Sequence, residues 1–204
     1  MRIFGIDPGS ERTGYGCVET DGRRHVLVAS GAIAALASDP FPQRLARIHR
    51  ELAALLASCR PDCVAVENLF HASNARSALK LGHARGVAIL AAVEAGCEIV
   101  EYTPAEVKRA VVGYGRAEKQ QVQRMVKLLL GLDEPPSPYD AADALAVAIC
   151  HVHSQAGLKA RLYDRSKSGN TIVEAGLPAS AKATADRQTR LSKSWRQYRP
   201  PARG

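Results

Sequence analysis

Four acidic residues occupy positions from which they could act together. Asp7 closes the apolar run Arg2–Asp7 and is followed by Pro8-Gly9. Glu67 follows the apolar run Val64-Ala65-Val66. Asp140 and Asp143 stand three residues apart at the start of the last helical pattern, a spacing that puts both on one helical face. In α/β sheets, ligands gather beyond the carboxyl ends of the strands, and two of these carboxylates sit at such ends. With no matching Cys/His cluster, an all-carboxylate set favours a hard cation, Mg²⁺ or Mn²⁺. Left alone, the four would repel one another and shift towards protonation. Two ions about 4 Å apart could activate water and stabilise the leaving oxygen in phosphodiester hydrolysis. The chemistry read from the residues is that of a metal-dependent nuclease.

Each acid also fits a plain structural role. Asp7 before Pro-Gly is a turn residue, and Glu67 is a surface residue at a strand end. Ser137-Pro138-Tyr139-Asp140 fits a capping box, with Ser137 as N-cap, Pro138 at N1 and Asp140 at N3. Asp143 suits a first helical turn, facing the positive end of the macrodipole.

The elements that would position these residues follow from periodicity. Arg2–Asp7 reads as a buried strand. Thr13–Glu19 and His25–Ile33 read as two more, joined at Asp21-Gly22. Pro42 opens a helix with Leu45, Ile48, Leu52, Leu55 and Leu56 on one face, and Pro61 stops it. Cys63–Val66 is apolar on both faces and therefore central. A long helix spans residues 74–95, with Leu79, Val87, Leu90 and Val93 among its apolar positions and Gly96 as C-cap. Glu98–Tyr102 is a fifth strand. Pro104–Val112, Ala117–Leu130 and about Tyr139–Ser154 are helices. Antiparallel strands followed by alternating helix and strand predict an α/β fold with a mixed sheet.

The bulk numbers bound the answer. A 204-residue chain that is 46% hydrophobic has material for an ordinary core. The N-terminus lacks the pattern of a secretory signal, and no apolar run is long enough for a membrane span, so a cytoplasmic protein is expected. The five cysteines are scattered without a CxxC, which fits buried free thiols rather than zinc or disulfides. The net charge of +8 is localised: residues 1–156 hold 17 basic and 17 acidic residues, and residues 157–204 hold 11 and 3. Two parts are expected: a domain over 1–156 and a basic, disordered tail over 157–204.

GIDPGSERTGYG at 5–16, AVENLFHASNARSALKLGHARGVAI at 65–89, VKRAVVGYGRAEKQQVQRMV at 107–126 and DAADALAVAICH at 140–151 resemble, in order, four motifs of the RuvC family of crossover (Holliday) junction endodeoxyribonucleases. The resemblance implies an RNase H-like fold with a mixed five-stranded sheet flanked by helices. It implies a homodimer that cuts four-way DNA junctions by paired symmetric nicks, with Mg²⁺, two ions per site, as cofactor. It places the family's catalytic and metal-binding acids on Asp7, Glu67, Asp140 and Asp143. It matches Phe70 to an aromatic that contacts bases, and Lys108 and Lys119 to lysines near the cut strand. Arg76, Lys80, Arg85 and Arg109 add positive charge in the same blocks. The partners implied are the junction-binding protein RuvA and the branch-migration motor RuvB. Tyr163–Gly204 matches nothing in the family's pattern. Three other readings compete: an RNase H-like nuclease acting on RNA or RNA–DNA hybrids, a sugar-kinase or chaperone-type ATPase, and a non-cutting junction-binding module.

Overall fold

The computed structural model describes residues 1–36, 38–68 and 74–167, with side chains described as far as Ser154. The chain divides into two units, Met1–Arg161 and Leu162–Gly204. The first unit contains a five-stranded sheet in the order β3-β2-β1-β4-β5. Its strands are β1 (Arg2–Asp7), β2 (Arg12–Thr20), β3 (His25–Ala34), β4 (Cys63–Glu67) and β5 (Glu98–Tyr102). β1, β2 and β3 pair antiparallel, whereas β4 lies parallel to both β1 and β5. The mixed sheet is the expected one; β4, paired on both sides and buried, is the interior strand expected, and β1 is the middle of the five.

Strand alternation assigns the two faces. Phe4, Ile6, Val64 and Val66 point to one side, where they meet Ile48, Leu52 and Leu56 of α1 (Phe41–Cys59) and Ala84, Ala88, Ala91 and Ala92 of α2 (Ala75–Glu94). Ile3 and Ala65 point to the other. There they pack with Val107 and Val111 of α3 (Pro104–Val112), Val122 and Val126 of α4 (Lys119–Leu130) and Leu145–Cys150 of α5 (Tyr139–Lys167). Burying each of these Leu and Ile side chains contributes about 1.5–3 kcal/mol. By the same alternation, Asp7 and Glu67 take the parity of Gly5 and Ala65 and belong to the α3–α4–α5 face.

The helix ends carry local causes. Asn74 caps α2 by accepting from Ser77 N–H at 2.9 Å. Thr103 and Glu106 cap each other's backbone N–H groups at the start of α3, and Gly113 ends that helix at φ +95°. α4 begins at Lys119 rather than Ala117, because Ala117 is buried in the core and the Glu118 N–H donates to the Gln121 side chain. α5 continues to Lys167, beyond the expected Ser154. Residues 155–167 contain Gln, Leu, Lys, Ala and Arg, all good helix formers.

One expectation needs correction. The proposed capping box at Ser137 does not form: Pro138 holds the cap position, its carbonyl accepting from Ala141 N–H at 3.0 Å, and Asp140 is engaged elsewhere. On α2 the large apolar residues face outward, with Leu79 65%, Leu90 48% and Val93 58% exposed, while alanines face the sheet. Small side chains let this helix lie close against its neighbours. Among the described residues all five cysteines are free, four of them buried, and no helix is long and apolar enough to cross a membrane. Phe70 and residues 168–204 lie outside the described residues.

Candidate active site

The site is assembled at the carboxyl edge of the sheet. Ile6 pairs with Val66 in parallel register, so Asp7 and Glu67 leave adjacent strand ends side by side. α5 then brings its first turn over them. It can do so because three glycines form a saddle beneath it. A Cβ on Gly5 would stand 2.0 Å from the Ala144 carbonyl oxygen, and one on Gly14 would stand 2.0 Å from that of Asp140. One on Gly16 would stand 2.6 Å from Leu145 Cδ2. Gly5 opposes Gly16 and Asp7 opposes Gly14 in the β1–β2 register, so the saddle and the acid belong to one hairpin. Glycines here are required for the close approach of backbones, not for unusual torsions.

Asp7, Glu67 and Asp143 line one cleft of about 310 Å³, together with Pro104, Val107, Lys108, Lys119, Val122 and Ala146. Burial holds the Asp7 carboxyl well above the usual carboxylate range. The negative charges of Glu67 and Asp143, a hydrogen bond shared with Glu67, and Asp140 add to the shift. Glu67 is also raised by burial, against the opposing pull of the Asp7 hydrogen bond and of Lys119 and Lys108. Asp143 is raised by burial as well, but Lys119 Nζ at 3.3 Å offsets this, and the same contact raises the Lys119 pKa. Asp140 does not line the cleft: Arg12 Nε lies 3.0 Å from its Oδ2. Asp140 and Asp143 thus have cationic partners, whereas Asp7 and Glu67 stand beside each other at adjacent strand ends. Consistent with this, among the described residues no three His, Cys, Asp or Glu side chains are gathered as a cation cage.

The donor chemistry nevertheless fits a divalent ion. Three hard carboxylates line one cleft, where burial and the charges of Glu67 and Asp143 raise the Asp7 carboxyl, a penalty that a divalent cation would relieve. Lys108 and Lys119 reach this cleft from α3 and from the start of α4. Arg76 and Lys80, on the first two turns of α2, do not line it. Arg85 is tied to Glu101, which also accepts from the Asn68 side chain, so it serves the scaffold. Arg109 lies beside a separate hollow with Tyr102 and His153.

Three features escaped the sequence reading. The glycine saddle is signalled only by alternation, Gly14 and Gly16 facing the same way on one strand. Thr13, fully buried, closes the turn after Asp7 by donating to the Gly9 carbonyl at 2.8 Å. The Arg12–Asp140 contact joins residues far apart in sequence and has no local signature.

Against known proteins, residues 3–151 match the family model described as crossover junction endodeoxyribonuclease RuvC. The chain is similar to the crossover junction endodeoxyribonuclease RuvC of Koribacter versatilis, 55% identical over 160 residues, 78% of this chain and 96% of that protein. It is also similar to that of Trichlorobacter lovleyi, 49% identical over 200 residues, 98% of this chain and all of that protein. The latter span reaches into the tail, for which no family counterpart was expected. Among solved structures, Thermus thermophilus RuvC in complex with Holliday junction substrate superposes with a TM-score of 0.73 at 37% identity, covering 77% of this chain and 96% of that one.

Proposed function

The chain belongs to the crossover junction endodeoxyribonuclease RuvC family, and from that premise we propose that it resolves four-way DNA junctions at the cleft of Asp7, Glu67 and Asp143, with Asp140 at its edge. The observation that carries this reading is the pairing of two strand-end carboxylates with a third from α5 in one cleft bordered by lysines. The enzyme is a metal-dependent nuclease, and its ion is Mg²⁺, with Mn²⁺ as a substitute and two ions per site. Asp7 and Glu67 would hold ions jointly, and Asp143 and Asp140 would complete the set from the helix above. When bound, the ions supply Lewis acidity for attack of water on a phosphodiester. Burial and the charges of Glu67 and Asp143 raise the Asp7 carboxyl, and a bound cation would favour its charged form. Lys119 turns from Asp143 towards the phosphate, and with Lys108 steadies charge developing on the phosphoryl oxygens. The α3–α4 wall of Pro104, Val107 and Val122 limits water access from that side.

The wider reading extends outward from this cleft. Residues 1–156 form the nuclease domain, and residues 157–204, with 11 basic and 3 acidic side chains, extend it. Phe70, Arg76 and Lys80 follow Glu67 in sequence and contact the junction. A second copy of the chain covers the outward face of α2, where Leu79, Gly82, Gly86, Val87 and Leu90 line an apolar groove. A twofold dimer would present two clefts to one junction. Family resemblance adds RuvA and RuvB as partners and the cytoplasm as compartment.

The test is Asp7→Asn. Cleavage of a labelled four-way junction in Mg²⁺ should fall by at least about 100-fold, with the Kd for the junction in Ca²⁺ within a few-fold of the parent. Retained cleavage would remove Asp7 from the site, and loss of binding would make its role structural.

A further inference from the structure

Arg12 is the least explained charged residue near the cleft. It is the first residue of β2, and Arg12 and Gly14 point to the same face of that strand, the face on which α5 rests. Its guanidinium lies 3.0 Å from Asp140, and its side chain is about half exposed, 54% against 32% for Asp140. The turn before it is held firmly. Arg44 of α1, only 4% exposed, donates to the Ser10 carbonyl and lies 3.7 Å from Glu11. Thr13 bonds Gly9, and Ala35 N–H donates to the Glu11 carbonyl at 2.9 Å. A cation on so well-anchored a turn is placed rather than drifting.

This contact decides where Asp140 points. The other three acids line the cleft, and Asp140, paired with Arg12, does not. An ion entering the cleft needs Asp140 to turn inward, and a guanidinium is a competitor for the same oxygens. Resting on the metal-site reading above, we propose that Arg12 is a latch on Asp140: it holds this carboxylate off the cleft until a divalent cation displaces it. Once displaced, the guanidinium stands at the cleft rim with its donors unpaired. The anion on offer there is a phosphate of the bound strand. Metal entry and DNA binding are thereby coupled through one side chain, each favouring the other.

The experiment titrates Mn²⁺ into full-length, metal-free protein without DNA, by calorimetry. Half-exposed ion pairs contribute modestly, so Arg12→Gln should lower the Mn²⁺ Kd by roughly two- to fivefold. The gain should vanish in an Asp140→Asn background, because the latch acts only through that carboxylate. An unchanged or weaker Mn²⁺ affinity in R12Q, or the same gain with and without Asp140, would overturn the proposal. Junction binding supplies the second arm: R12Q should weaken it in Ca²⁺ more than in EDTA, and equal loss in both would also overturn it. If R12Q does not fold, R12K gives the same comparison at smaller amplitude. Failure of the unaltered protein to bind Mn²⁺ would instead remove the metal-site reading, and the latch with it.

Discussion

At the scale of single residues, charge and burial set the behaviour, and His151 offers a clean case away from the cleft. It is 2% exposed, Nδ1 shares a 2.9 Å hydrogen bond with the Tyr102 hydroxyl, and Nε2 has no partner among the described residues. Burial lowers its pKa from the ordinary 6.5. The unfolded chain therefore takes up a proton below that pH that the folded protein refuses. Stability is full above pH 6.5 and declines as pH falls through it. Between about pH 7.5 and about pH 5.5, His151→Gln should lose less Tm than the parent; parallel declines would show that His151 does not drive the slope. Residue-level signals in the sequence were uneven. Asp7 and Glu67 were legible because each ends an apolar run, and strand parity places them on one face. Asp140 was legible as an acid but not in its pairing: Arg12 lies at the other end of the domain, and the capping box suggested by Ser137 was a local pattern that tertiary contact overrode.

At the scale of elements, α5 is the part on which the geometry turns. It carries two of the four acids and touches the β1–β2 hairpin through backbone atoms over Gly5 and Gly14. Gly14→Ala would place a methyl 2.0 Å from the Asp140 carbonyl oxygen, so the helix start must move. Overpacking of this kind costs about 1–3 kcal/mol, whereas an ångström of displacement at a reacting site costs about 100-fold in rate. G14A should therefore remain folded, with a modestly lower denaturation midpoint, and lose cleavage out of proportion to stability. Parent-like cleavage would mean that α5 is not held by this contact. Helix boundaries were readable in the sequence wherever a cap or proline marks them, as at Thr103, Pro104 and Gly113. Which face of α2 turns inward was not legible from its apolar positions: Ala84, Ala88 and Ala91 form the buried stripe and Leu79 and Leu90 the outer one.

At the scale of the whole molecule, the sheet of the first unit has two differently packed sides. α1 and α2 bury the even-numbered apolar residues of β1, and α3, α4 and α5 enclose the carboxyl edge where the acids meet. The mixed α/β character followed from the succession of elements and the family from the four-motif resemblance, whereas the strand order β3-β2-β1-β4-β5 is set by long-range pairing. The function separates in the same way. The proposed nuclease site rests on the carboxylate cleft, whereas the branched substrate rests on relatedness to the family; the proposed dimer rests on the apolar groove of α2. The decisive measurement offers the full-length protein a labelled four-way junction, a linear duplex of the same sequence and an RNA–DNA hybrid, each in Mg²⁺ and in EDTA. Paired, symmetric nicks are expected in the junction in Mg²⁺ alone, with duplex and hybrid left intact. Preferential cutting of the hybrid, or junction cutting that persists in EDTA, would contradict it.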